Sequence, residues 1–135
     1  MRIPLLPVLA LTVAAGCADS AESAARYRIA RVNGASLPYT LREEGPCQHW
    51  LLEGFLNFPG DRTYTSTFNI QIVCPDSTPR PVPDPGISGT VRSSNDTVYF
   101  VNSAGMNSGH GISNADSIVI QGRLHRLTYM RIRDE

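Results

Sequence analysis

The sequence contains no lysine, a single tryptophan and only three cysteines among its 135 residues. Its twelve arginines are balanced by twelve acidic residues, so the formal net charge is zero. A dedicated nucleic-acid-binding domain carries a clear basic excess, and the charge balance argues against that class. The longest apolar run, Ile3–Ala15, is shorter than the ~20 residues that a membrane-spanning helix needs.

Motifs that carry catalysis or metal binding are also missing. The three histidines show neither HxH nor HxxxH spacing, and the cysteines form no CxxC motif, so no metal site is predicted. No Gly-x-Ser-x-Gly nucleophile motif occurs. Glycine-rich phosphate loops need a following helix, and no helix is predicted. We therefore expect a non-catalytic protein without metal or cofactor.

What is present begins with the first seventeen residues. Arg2 supplies a positive start, Ile3–Ala15 an apolar centre, and Ala14-Ala15-Gly16 places small residues directly before Cys17. This order is typical of a secretory signal and resembles the lipobox of bacterial lipoproteins. The resemblance implies removal of residues 1–16 and lipid on Cys17. The open alternatives are an ordinary cleaved signal and an uncleaved anchor.

The lipobox resemblance also implies a location and a division of the chain. The protein would be exported and membrane-anchored, facing the periplasm or the cell surface, and Ala18 after the cysteine favours the outer membrane. Residues 17–25 would be the lipidated cysteine and a short polar tether. Residues 26–135 have the length of one small domain with a single core.

From Arg26 onward the sequence has the period-two pattern of β-strands. The pattern is clearest between Trp50 and Val73, where it predicts a hairpin around Pro59-Gly60-Asp61 with even-numbered residues facing the core. The proline-rich segment 75–86 and the Gly/Ser/Asn-rich segment 102–115 are predicted to be loops. Further strands are predicted over segments 26–33, 39–43, 87–92, 97–102, 117–121 and 124–132.

Cys47 and Cys74 remain once Cys17 is assigned to lipid, and an even pair in an exported chain predicts a disulfide. The two cysteines lie at the open end of the predicted hairpin. If even residues pair with even residues, the cysteines are nearly opposite each other but on opposite faces. One β-bulge before Trp50 or after Ile72 would reconcile them, so a bulge is predicted there. A metal site and a reactive thiol are the alternatives.

Eight short strands joined mostly by tight turns predict an all-β fold, an antiparallel up-and-down barrel of about eight strands, with a β-sandwich as the alternative. A meander keeps two unpaired edges unless it closes, so the first strand is expected to pair with the last. The strand rhythm, with Val32-Asn33-Gly34, the Gly54 hairpin and Tyr129-Met130-Arg131, resembles small lipocalin-like domains of bacterial lipoproteins.

A barrel of this kind offers two candidate binding regions. The predicted lining of an interior cavity for a small apolar ligand is Trp50, Leu52, Phe68, Ile70, Val98 and Phe100. Closure would also gather arginines into a basic stripe facing anionic lipid, cell-wall polymer or an acidic partner: Arg26, Arg28, Arg31, Arg123, Arg126, Arg131 and Arg133. The alternatives are a core filled solid by the same apolar side chains, and arginines paired locally with Glu43 and Glu44.

The function predicted from the sequence is therefore binding of a small apolar ligand or an envelope partner by a lipid-anchored domain. Two other classes remain open. An inhibitor, resembling the disulfide-bonded barrel lipoproteins that block lysozymes, would insert an exposed loop such as Met106–Ile112 into an enzyme cleft. A hydrolase would use Ser108 with His110 as nucleophile and base.

Overall fold

A computed structural model describes residues 24–133. The predicted signal peptide 1–16, Cys17 and the tether before Ala24 lie outside these residues. Within them the chain forms eleven β-strands, and no helix is long and apolar enough to cross a membrane. The strands are β1 (Ala25–Val32), β2 (Ala35–Ser36), β3 (Tyr39–Glu44), β4 (Cys47–Gly60), β5 (Thr63–Val73), β6 (Arg80–Val82), β7 (Ile87–Ser94), β8 (Thr97–Asn102), β9 (Asn107–Ser113), β10 (Ser117–Gln121) and β11 (Arg126–Arg131).

Eight of these strands form a closed antiparallel barrel in the order β1, β4, β5, β7, β8, β9, β10, β11 and back to β1. The ring closes where Tyr27 pairs with Arg131 and Val32 pairs with Leu127. The predicted barrel and its predicted closure are both confirmed. β1 begins at Ala25, one residue inside the predicted tether, because Ala25 pairs with Phe58 of β4.

Three short strands lie outside the ring. β2 pairs with β1, β3 with β4, and β6 with β5. The predicted strand 39–43 is therefore β3 and not a strand of the barrel wall. The proline-rich segment 75–86 connects β5 to β7 as predicted, apart from the three residues of β6.

The predicted loop 102–115 is wrong, because it contains the barrel strand β9. Gly109 and Gly111 pair with Phe100 and Val98, whose side chains fill the interior beside them. A Cβ atom on Gly111 would lie 3.1 Å from the Ile118 side chain. Side chains of neighbouring strands thus fill the interior beside these glycines. The sequence of β9 therefore lacks the alternation of apolar and polar residues by which a strand is recognised.

The disulfide between Cys47 and Cys74 is confirmed, with Cα atoms 4.2 Å apart at the open end of the β4–β5 hairpin. It closes a loop with a sequence separation of 27, which contributes about 3–4 kcal/mol in the chain-entropy description. At the other end of the hairpin, Asp61 and Arg62 both have φ of 56°. Two positive φ angles are the requirement of a type I′ hairpin turn.

The predicted β-bulge in this hairpin exists, but at Leu52 rather than before Trp50 or after Ile72. Leu51 pairs with Ile70, and the next pair is Glu53 with Asn69. The prediction that even-numbered residues face the core is therefore wrong for Trp50 and Leu52, because before the bulge it is His49 and Leu51 that are buried. After the bulge it is right, as the buried residues there show: Gly54, Leu56, Tyr64 and Ser66.

The barrel interior is filled largely by aromatic and branched side chains. The Tyr64 and Phe100 rings meet edge to face with centroids 5.0 Å apart, and Tyr27 and Phe58 do the same at 5.7 Å. Such pairs add ~0.5–1.5 kcal/mol beyond their buried area. The buried apolar residues are Tyr27, Ile29, Val32, Leu51, Leu56, Tyr64, Val91, Phe100, Ile118 and Tyr129.

Replacement of Gly54 by alanine should destabilise the barrel. A Cβ atom at this position would lie 2.3 Å from Cδ1 of the buried Ile29 and 3.1 Å from Phe68. Overpacking of this kind costs ~1–3 kcal/mol, measured as the free energy of unfolding in urea. Adding Ile29→Val removes the clashing methyl group. The free energy of unfolding of the double variant should therefore fall by less than the sum of the decreases in the two single variants. Simple additivity of the two losses would contradict the packing described here.

Candidate functional site

The two ends of the barrel differ in what they carry. The chain enters β1 at Ala24, and the turns at residues 61–62, 95–96 and 114–116 lie at this same end, which we call the entry end. The opposite end, the distal end, carries the connections at residues 103–106 and 122–125 and the proline-rich segment 75–86.

A pocket of about 140 Å³ lies in the barrel interior and extends to residues at the distal ends of β7, β9, β10 and β11. We call it the distal pocket. Its wall is mostly apolar and contains four hydroxyl groups. Ile87 begins β7 at the distal end and is 49% exposed, so the pocket reaches the surface beside this side chain. The apolar lining residues are Leu56, Phe68, Ile87, Phe100, Ile120 and Leu127, and the hydroxyl groups belong to Tyr64, Ser66, Ser108 and Tyr129.

Ser108 reaches the pocket because it is the extra residue of a β-bulge. Phe100 pairs with Gly109 and Val101 pairs with Asn107, which leaves Ser108 without a cross-strand partner. Its Oγ donates to the Phe100 carbonyl oxygen at 3.3 Å and accepts from the Tyr64 hydroxyl at 3.0 Å. The bulge thereby turns a polar residue of β9 into the barrel, as bulges commonly do at binding sites.

Tyr129 on β11 supplies a buried hydroxyl group to the pocket. Burial raises the pKa of Tyr129 to about 12, and a side-chain hydrogen bond with Ser66 lowers it by a smaller amount. The phenol therefore stays protonated at neutral pH. Since no lining residue is of an acidic or basic type charged at that pH, the pocket suits an uncharged apolar group.

The predicted cavity lining divides into three sets. Phe68 and Phe100 line the pocket. Ile70 and Val98 pack against the core but do not line it. Trp50 and Leu52 lie on the other face of β4: Trp50 Nε1 donates to Gln48 Oε1 at 2.8 Å, and Leu52 lines a groove on the outer wall.

The sequence reasoning missed the hydroxyl groups of the pocket. Period two around the Thr63–Val73 strand already placed Tyr64 and Ser66 on the face of Phe68, and that signal could have found them. Ser108 had no such signal, because the strand that carries it was not recognised.

The predicted basic stripe is divided by local contacts. Arg28 forms a 2.6 Å salt bridge with Glu53, and Arg133 forms one with Asp116. Arg131 lies at the entry end opposite Tyr27. The alternative of pairing with Glu43 and Glu44 does not describe these arginines, because Glu44 instead contacts Arg42 and His49, at 3.2 and 3.1 Å.

Ser108 and His110 lie on opposite faces of β9. Ser108 points into the barrel, whereas the His110 ring lies on the outer face with its centroid 6.3 Å from that of Tyr99. This placement does not assemble the nucleophile and base of the hydrolase alternative. Residues 107–112 also belong to the barrel wall, so of the loop Met106–Ile112 only Met106 lies in a connection.

Comparison with protein-family models, curated proteins and solved structures gives no match for this chain. Among residues 24–133, no group of three or more histidine, cysteine, aspartate or glutamate side chains is placed to hold a metal ion. The features of this chain that bear on its function are therefore the pocket, the arginines and the sequence around Cys17.

The raised pKa of Tyr129 predicts a specific alkaline loss of stability. An unfolded tyrosine ionises near pH 10, whereas Tyr129 in the fold ionises near 12. Its contribution is complete below pH 10 and is lost as the pH rises through 12. The loss should be about 2–3 kcal/mol in urea unfolding, since each pKa unit corresponds to ~1.4 kcal/mol.

The matched controls for this experiment are Tyr129→Phe and Tyr99→Phe. Tyr129→Phe should remove this component of the pH dependence, while Tyr99→Phe, at an exposed tyrosine, should keep it. If the free energy of unfolding falls equally steeply with alkaline pH in the parent chain and in both variants, Tyr129 is not the group responsible.

Proposed function

We propose that this chain is an exported, lipid-anchored protein of the cell envelope whose non-catalytic barrel binds a partner protein. Acyl chains on Cys17 would hold it to a membrane, with the outer membrane favoured, on the periplasmic side or the cell surface. The distal pocket would receive one apolar group of the partner. The single observation that carries the binding role is this small, uncharged, largely apolar pocket at the end of the barrel opposite Ala24.

The volume of the pocket favours a partner over a free hydrophobic ligand. Sites that enclose small molecules measure ~300–1,000 Å³, whereas this pocket measures about 140 Å³. An apolar cavity of ~150 Å³ accommodates benzene. The pocket therefore has room for one ring or one branched alkyl group, which is the size of a side chain presented by a protein.

Exposed apolar side chains around the distal end support the same proposal. Ile87 is 49% exposed, Met106 63% and Leu124 83%, and each lies in or beside a different connection at this end. A pocket that takes an anchor side chain, bordered by further apolar contacts, is the arrangement found at binding hot spots. These residues would cover the anchor and exclude water from it.

The disulfide supports export, and the length of chain before Ala24 limits how far the barrel would lie from a lipid anchor. The Cys47–Cys74 bond belongs to the class of structural disulfides that persist in oxidising compartments. The seven-residue step from Cys17 to Ala24 reaches at most ~25 Å, so lipid on Cys17 would keep the entry end near the membrane. Two or three acyl chains are enough for stable attachment, and the distal pocket would then face away from the lipid.

Expression of the full chain in a bacterial host tests the anchor directly. Intact-mass measurement of the membrane fraction should find a mature chain that starts at Cys17 and carries a diacylglycerol group. Cys17→Ser should leave residues 1–16 attached and abolish acylation, with Cys47→Ser/Cys74→Ser as the control that keeps the lipid. A mature chain beginning at any other residue would rule out the lipoprotein proposal.

Toluene serves as the probe of the distal pocket, because it has the size that the pocket admits. Saturable chemical-shift changes are expected at Ile87, Phe100 and Leu127. Ser108→Leu fills the pocket and should weaken toluene binding at least about tenfold, since each 1.4 kcal/mol lost is tenfold. Ser88→Leu, on the exposed outer face of β7, is the matched control and should bind toluene like the parent chain.

The result that would exclude the pocket as an anchor site is equally specific. It is either the absence of saturable shifts at these three residues, or shifts that are as large at outer-wall residues such as Ile112.

A further inference from the structure

The barrel wall has a notch between β1 and β4. β1 pairs with β4 only as far as Arg28, opposite Phe55, and its pairing with β2 starts at Arg31. On the other side of the notch, the pairing of β4 with β3 runs from Cys47 to Leu51 and ends there. Ile29–Ala30 and Leu52–Gly54 therefore face each other without pairing across the notch, although Ile29 pairs with Tyr129 and Gly54 with Phe68 on their other sides. Segment 36–38 connects β2, which pairs with β1, to β3, which pairs with β4.

Two β-bulges produce this notch. The register of β1 shifts between Ile29 and Arg31, so Ala30 is an extra residue. The register of β4 shifts between Leu51 and Glu53, so Leu52 is an extra residue. A bulge bends its strand and increases the local twist. The two bulges lie on facing strands, at the place where the β1–β4 pairing ends.

The notch opens into a groove of about 510 Å³ on the outer surface of the barrel. Most of its lining is apolar, and Met130 on its edge is 44% exposed. The groove is separate from the distal pocket, with which it shares no lining residue. Its lining residues are Arg28, Ile29, Ala30, Ser36, Leu37, Pro38, Leu52 and Met130.

Two guanidinium groups lie near Gly34, two residues before Ser36 of the groove lining. Arg31 Nη1 donates to the Gly34 carbonyl oxygen at 3.0 Å, and Arg126 Nη2 lies 4.0 Å from the position that a Cβ atom on Gly34 would take. Among the salt bridges of residues 24–133, none involves Arg31 or Arg126. Arg28 at the groove itself is already engaged by Glu53. The surface thus combines an apolar trough with an adjacent pair of positive charges that no described carboxylate neutralises.

We infer that the notch is a docking site for an extended acidic segment of a partner protein. An apolar side chain of that segment would lie on Leu37, Leu52 and Met130. A neighbouring carboxylate would be held by Arg31 and Arg126, because guanidinium groups bind carboxylates with paired, charge-assisted hydrogen bonds. This inference depends on neither the lipid anchor nor the distal pocket.

The unpaired strand edges decide between an acidic peptide and an anionic lipid. Peptide backbone groups of Ile29–Ala30 and Leu52–Gly54 border the groove without a β-ladder partner on this side. The backbone of an extended peptide can form hydrogen bonds with these groups, whereas an acyl chain offers them no hydrogen bond. The same arginines would attract both ligands, so the edges supply the discriminating chemistry.

Binding of a fluorescein-labelled Glu-Leu-Glu-Leu-Glu peptide to the full chain, followed by anisotropy at low ionic strength, tests this site. The double variant Arg31→Glu/Arg126→Glu should weaken binding at least about tenfold, because charge reversal turns attraction into repulsion. The matched control Arg80→Glu/Arg92→Glu makes the same change in net charge at two exposed arginines elsewhere and should alter binding less than about twofold. A Glu-Ser-Glu-Ser-Glu peptide should bind more weakly than the leucine peptide.

Amide chemical-shift mapping on the unmodified chain keeps the test decisive if a variant folds poorly. The peptide should perturb Ile29, Ala30, Leu52 and Met130. Three outcomes would overturn the inference: no saturable binding, equal losses in both double variants, or perturbations confined to the distal end. Vesicles of phosphatidylglycerol that bind with the same arginine dependence, while the peptide does not, would replace the acidic segment with a lipid surface.

Discussion

Pairing of β1 with β11 is the constraint on which the rest of the structure depends. Once Tyr27 lies against Arg131 and Val32 against Leu127, the meander has no free edge within its ring of eight strands. Every inward side chain must then share one closed interior. An eight-stranded barrel is only wide enough for packed side chains or one small ligand, and here the aromatic residues around Phe100 and Tyr129 take up most of that space.

Much of this fold could be predicted from the sequence because its strong signals are local. Alternation along β5 and tight turns such as Asn95-Asp96 define their elements within a few residues, and closure follows from the need to remove two edges. The disulfide follows from the pair of cysteines that remains once Cys17 is assigned to the predicted lipid anchor. These inferences need only the order of residues in one segment, or one rule of topology.

The remaining features depend on contacts between segments. β9 is a strand because Val98, Phe100 and Ile118 fill the interior that Gly109 and Gly111 leave open. These three residues lie on other strands, so the residue pattern around the glycines does not reveal them. The prediction that Trp50 and Leu52 line the interior cavity was wrong for a related reason. Odd- and even-numbered residues of a strand keep to opposite faces only until the first bulge. The position of that bulge depends on pairing with the partner strand.

The places where parity fails are also the places where the molecule acquires its distinctive surfaces. A regular barrel of this length would present a sealed apolar interior and a uniform outer wall. Single extra residues interrupt that regularity: Ser108 brings a hydroxyl group into the distal pocket, while Ala30 and Leu52 part the wall beside two arginines. Each insertion interrupts the local ladder of cross-strand hydrogen bonds and bends its strand. The pocket and the groove that we propose as binding surfaces both lie at such insertions.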